Sequence, residues 1–167
     1  MRLLRALAVV ALLAVAVYAG YRLFSPSRPP AGATLAVYYC KLDGTTLEKW
    51  VVSVNPNATD AKSMAFYATA QAIAGPPAGT EAIRFPAGTV VRSVHVDGQS
   101  ASVDLGGTVS SNQSGSFAES GEFKALVWTL TSLPGISAVQ ITIDGTRVPT
   151  LPGGHLELDE PLTRQSW

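Results

Sequence analysis

The sequence is poor in the residues that carry most enzymatic and metal chemistry. Its 167 residues include one cysteine, Cys40, and two histidines, His95 and His155. A single cysteine excludes an internal disulfide, so the fold must hold by its core alone. Cys40 lies in Val37-Tyr38-Tyr39-Cys40, where a free cysteine behaves as a small buried hydrophobe. As a nucleophile or metal ligand it lacks a second cysteine or a sequence-near histidine to activate it. No phosphate-cradling glycine loop, nucleophile elbow, zinc signature or calcium loop occurs. Basic charge is also scarce beyond the first 28 residues, where eight Lys and Arg face all twelve acids. That balance of −4 excludes nucleic acid as a natural partner, because phosphate neutralisation supplies most of such affinity.

What is abundant is apolar residues, 47% of the chain, concentrated at the amino terminus. Arg2 and Arg5 precede an uncharged run, Ala6 to Tyr21. With Leu3 and Leu4 the stretch approaches the ~20 residues that span a bilayer. It has no polar face, which argues against a helix in a soluble core. Residues 1–23 are therefore expected to be a membrane anchor or a signal segment. Val17-Tyr18-Ala19 before Gly20 has the small residues that permit cleavage, which would release a secreted domain. Tyr18, Tyr21 and Arg22 form the aromatic-then-basic edge of an interfacial stop and favour the anchor. The expected location is the cell membrane, single-pass, with the domain outside the cytoplasm. Residues 24–33 contain Pro26, Pro29 and Pro30 and read as a stiff extended linker.

Residues 34–164 read as one α+β domain, a mixed sheet covered on one face by two helices. Leu35–Tyr39 and Leu47–Val54 are strand-like, with Trp50 and Val52 on one face and Val51 on the other. A helix follows over Asp60–Ala74, capped by Asn57 or Thr59, with Ala61, Met64, Ala65, Ala68 and Ala72 on one side. Val90–Val96 and Ser100–Leu105 flank Asp97-Gly98, read as a type I′ hairpin. Gly106–Gly115 reads as a polar loop. Ser116 and Glu119 have capping-box spacing ahead of an amphipathic helix through Phe123, Leu126, Val127, Leu130 and Leu133. Val139–Ile143 is a last strand, turning at Asp144-Gly145.

Four groups invite a chemical reading. His95 alternates with Val94 and Val96 and faces the other way; without a serine, cysteine or metal partner it is a surface histidine. His155, Glu157 and Asp159, spaced by two, would share one face of a strand. They offer mixed imidazole and carboxylate ligands, but the plainer reading is the charged edge that keeps sheets apart. Asp104, between Val103 and Leu105, is expected to cap the following loop; Asp97 and Asp144 are explained by turn chemistry. Trp50, Trp128, Trp167 and the Tyr38-Tyr39 pair leave open an aromatic glycan site. No catalytic, cofactor or metal residues are assigned.

Taken in order, several landmarks resemble the GerMN domain, the sporulation and spore germination domain. They are Val37-Tyr38-Tyr39, Ile73-Ala74-Gly75-Pro76, Phe85-Pro86-Ala87-Gly88-Thr89 and Ala101-Ser102-Val103-Asp104-Leu105. Ala125–Leu130, Pro134-Gly135-Ile136, Val139-Gln140-Ile141 and Leu158–Arg164 complete the set. Alanines in the first helix and Cys40 in the first strand depart from the family's pattern. The resemblance implies an exported, envelope-associated, tethered module without catalytic residues. The expected partner is an envelope protein or a second copy; a peptidoglycan or other glycan is the alternative.

Overall fold

Alternating apolar residues build the first strand, β1 (Thr34–Cys40), which buries Leu35, Val37 and Tyr39. The computed structural model describes residues 32–111, 115–151 and 154–167. The expected anchor (1–23) and all but the last two residues of the linker (24–33) lie outside them. Among the described residues no helix is long and apolar enough to cross a membrane.

β1 pairs antiparallel with β2 (Leu47–Ser53) as a separate two-stranded ribbon. Trp50 and Val52 turn inward while Val51 is exposed, and Tyr39 meets Trp50 edge-on at 6.4 Å. β3 (Thr89–Asp97), β4 (Ser100–Gly107) and β5 (Ala138–Ile143) form the mixed sheet. β3 and β4 are antiparallel, and β4 and β5 parallel. Its inner rows, such as Val94–Val103–Ile141, are buried. Rows such as His95–Ser102–Gln140 occupy the opposite face.

Helix α1 (Ala61–Ala74) presents Ala65, Ala68, Thr69 and Ala72 to the core. Small side chains let it lie close against β3. Its cap is Asp60, not Asn57 or Thr59: Asp60 accepts from the Ser63 amide at 2.7 Å, and the Ser63 hydroxyl serves the Asp60 amide. Helix α2 (Ser116–Leu130) buries Phe123, Leu126, Val127 and Leu130, the stripe read from the sequence. The capping box expected at Ser116 and Glu119 is absent. Gly115 is the cap residue, without a side-chain hydrogen bond, and Glu119 bonds elsewhere.

Of the two Asp-Gly turns, the first differs from expectation and the second lies where it was expected. At the first hairpin the two loop residues are Gly98 and Gln99, because Asp97 pairs with Ser100. Gly98 alone has positive φ (55°), the pattern of a type II′ rather than a I′ turn. The second turn carries positive φ at both Asp144 (50°) and Gly145 (80°), as type I′ requires. The expected loop after β4 is shorter than read: β4 runs to Gly107 and a 3₁₀ turn follows over Thr108–Ser110, burying Val109.

Candidate functional site

Each residue singled out in the sequence has a defined place. Cys40 is fully buried in β1, facing Gly121 of α2, where a Cβ would lie 3.3 Å from its sulfur. Burial pushes its thiol up, against the pull of Lys124 and with a small push from Asp43. A thiol held protonated in a packed core is a poor nucleophile.

His95 is exposed, and its cross-strand neighbour is Ser102, also exposed. The pair lies on an open sheet surface and lines none of the three main cavities among the described residues. His155, Glu157 and Asp159 do not share a strand, because the tail from Gly154 to Glu160 has no regular secondary structure. They are exposed while Leu158 is buried, so the alternation persists without the strand expected to cause it. No group of three His, Cys, Asp or Glu among the described residues is placed to hold a metal ion.

Asp104 does more than end a loop. Its Oδ1 accepts from the Thr142 hydroxyl at 2.9 Å and the Gly145 amide at 2.8 Å, and its Oδ2 from Arg92 Nε at 2.9 Å. Burial alone would raise its carboxyl. The bonds from Gly145, Thr142 and Arg92 outweigh burial and hold it below the ordinary carboxylate range. Arg92 also reaches Asp144 at 3.4 Å. This cluster locks β3 and β4 to the turn after β5, and its acceptors are spent on structure.

Two of the three tryptophans are likewise committed. Trp128 meets Trp167 edge-on at 5.8 Å, with the Arg164 guanidinium 5.6 Å from its ring. Arg164 Nε donates to Thr131 Oγ1 at 2.8 Å, and Trp167 Nε1 to Ser120 at 3.3 Å. The tail is thus seated on α2 by the tryptophans that had suggested a glycan platform.

What sequence reasoning missed is a groove between α1 and β3. Two cavities, about 510 and 700 Å³, share Phe66 and Ala70 and so run end to end. From α1, Lys62, Phe66, Ala70 and Ile73 line it; from β3, six consecutive residues, Thr89 to Val94, do so. A cavity on one face of a strand is lined by alternate residues, since side chains point to opposite faces. Lining by consecutive residues places this groove along the outer edge of β3, helped by the bulge between Val91 and Ser93. Phe66 is 43% and Val90 49% exposed. The signal available in the sequence was the i, i+4, i+8 stripe of Lys62, Phe66 and Ala70, flanking the buried alanine face.

A family model described as "Sporulation and spore germination" matches residues 36–149. The chain belongs to this family. Solved members of the GerMN fold share its architecture. The first GerMN domain of the sporulation protein GerM from Bacillus subtilis is 20% identical, with a TM-score of 0.59, over 80% of this chain and 98% of that one. The tandem GerMN domains of the same protein give 19% identity and a TM-score of 0.60, over 80% of this chain and 47% of that one. A candidate lipoprotein of Clostridium perfringens gives 19% identity and 0.58, over 80% of this chain and 89% of that one. No curated protein matches the sequence. In this GerMN-type domain the quoted sequence landmarks are core and turn residues: Val37, Val103, Leu105, Leu126 and Ile141 are buried. Asp104 is the bonded centre of the β3–β4–β5 junction.

Proposed function

We propose that this GerMN-type domain is a non-enzymatic module, held by its amino-terminal segment to the outer side of the cell membrane, that acts through contact with a protein partner. The observation that carries the reading is the α1–β3 groove: a half-open, largely apolar trough beside a strand edge left unpaired among the described residues, in a domain whose candidate catalytic groups are buried, scattered or committed to structure. Catalysis needs a nucleophile or base, its orienting partner and a cavity at one place. Here Cys40 is buried, His95 and His155 are exposed, and the groove contains neither histidine. The apolar run of residues 1–23 and the proline-rich residues 24–33 supply the tether and the spacer.

The test is chemical crosslinking of tagged full-length chain in its own cells, followed by membrane isolation and mass spectrometry. One or two envelope proteins are expected at near-stoichiometric yield, with an intact mass that retains the amino-terminal segment. A strictly monomeric chain without crosslinked partners contradicts the reading. Co-sedimentation with wall sacculi in place of a protein partner would move the assignment to glycan binding.

A further inference from the structure

We propose that the α1–β3 groove binds one extended segment of a partner protein, five to six residues long, apolar at its centre and acidic at the end that meets Arg84, as an added strand beside β3. The proposal rests on the protein-binding reading above and names its surface and the chemistry of its occupant.

The edge supplies the main-chain part. β3 is the terminal strand in the order β3-β4-β5, and among the described residues no strand pairs with its outer side. Alternate residues of β3 pair with β4, leaving the amide and carbonyl groups of those between them directed outward. An unpaired edge of this kind is a template for a further strand, with main-chain bonds giving affinity and neighbouring pockets giving selectivity.

The walls supply the selectivity. Phe66 stands at the middle of the groove, shared by both cavities, with Ala70 beside it and Val90 on the strand side. Lys62 lies toward one end and Arg84 toward the other. Arg84 donates to the carbonyls of Pro76, Pro77 and Thr80, neutral acceptors that leave its charge uncompensated. Arg92 is already paired with Asp104. Asp60, the lining acid, caps α1 through neutral donors and sits close enough to Lys62 to feel its charge, so the two offset one another at that end. The Arg84 end thus carries the net positive charge, on a region of chain that is acidic overall. The complement is an apolar segment with an acid at the Arg84 end.

The length follows from the helix. From Lys62 to Ala74 the rise of ~1.5 Å per residue gives ~18 Å, which an extended chain at ~3.3 Å per residue spans with five to six residues. The chain's own residues 24–33 are a poor occupant. Their prolines lack amide donors, and their charged residue is Arg28, of the same sign as Arg84.

The test uses the full chain in detergent micelles and two acetylated, amidated hexapeptides, one reading Glu-Val-Thr-Val-Thr-Glu and the other with lysine at both ends. Backbone NMR titration is expected to show saturable shifts confined to β3 and the facing side of α1, with slowed hydrogen exchange along the β3 edge. The lysine-ended peptide should bind at least tenfold more weakly. The exposed-site variant F66E should weaken the acidic peptide by a similar factor while leaving the thermal midpoint unchanged. Equal binding of the two peptides, or shifts centred on β2 or the tail, overturns the proposal. The same variant in the cell crosslinking experiment separates the two readings. Partners retained by F66E refute the groove but leave protein binding standing, whereas no partner for the wild-type chain refutes both.

Discussion

Glu119, on the first turn of α2, reaches across to the tail and accepts hydrogen bonds from the backbone amides of His155 at 3.2 Å and Leu156 at 3.3 Å. Glu119 is 2% exposed, and a Cβ at Gly154 would sit 2.5 Å from one of its carboxylate oxygens. A buried acid is tolerated here because main-chain donors satisfy it. Replacing Glu119 by Ala removes the acceptor of two amides and should cost about 1–3 kcal/mol. Gly154→Ala should be destabilising through the same contact. Urea denaturation of both variants measures this, and midpoints equal to wild type would contradict it.

Thr129 plays the matching part at the other end of α2. Its hydroxyl donates to the Ala125 carbonyl at 2.8 Å and accepts from the Tyr38 amide of β1 at 2.9 Å. The helix thus satisfies one backbone amide of β1. Thr129→Val keeps the shape and strands the Tyr38 amide, so a loss of about 1–3 kcal/mol is expected. Thr129→Ser should retain most of the stability. If the Val and Ser variants were equally stable, the hydrogen bond would have no part in the docking of α2 on β1.

The Asp104 junction sets an acid dependence. Its folded carboxyl lies below the ordinary range, so its contribution is complete above the unfolded value, near pH ~4. The contribution is lost as pH falls through the folded value. Asp104→Asn retains an acceptor for Thr142 and Gly145 but turns an amide toward Arg92. The denaturation midpoint of wild type should exceed that of the variant at pH 6, and the gap should narrow progressively below pH 4. A gap independent of pH would remove the carboxylate from the account.

Cys40 should be silent until the domain opens. Its burial and raised pKa predict that a thiol reagent at neutral pH modifies the denatured chain within minutes and the native chain at the rate of unfolding. Fast stoichiometric labelling of the native protein would show an accessible thiolate.

The parts of this fold that were legible in advance are those written in local periodicity. The stripe of Phe123, Leu126, Val127 and Leu130 and the alternation about Trp50 needed only nearest neighbours on one element. Caps and turns were less legible because several candidates lay within a residue or two of each other. Asp60 took the cap from Thr59 because Ser63 stands three residues beyond it and can reciprocate. Asp97 and Asp144 both precede glycine, yet only Asp144 enters the left-handed region, where its oxygen meets Arg92. By propensity alone Gly121 is a poor residue inside α2. In the fold it lets α2 approach Cys40 and Ile83, and a Cβ at this position would lie 2.5 Å from the Ile83 side chain. Gly121→Ala should therefore fail to return the roughly 1 kcal/mol that helix propensity offers. The groove was hidden for a different reason: its walls come from α1 and β3, and their relative placement is a tertiary fact.

The most direct test of the central claim places a photo-crosslinking amino acid at Phe66 in the groove and, in a second variant, at Val51 on the exposed side of β2. Irradiation of cells expressing each full-length variant should give a discrete adduct with an envelope protein from position 66 and not from position 51. Adducts from position 51 alone, or from neither position, would contradict the assignment of this groove as the surface through which the domain acts.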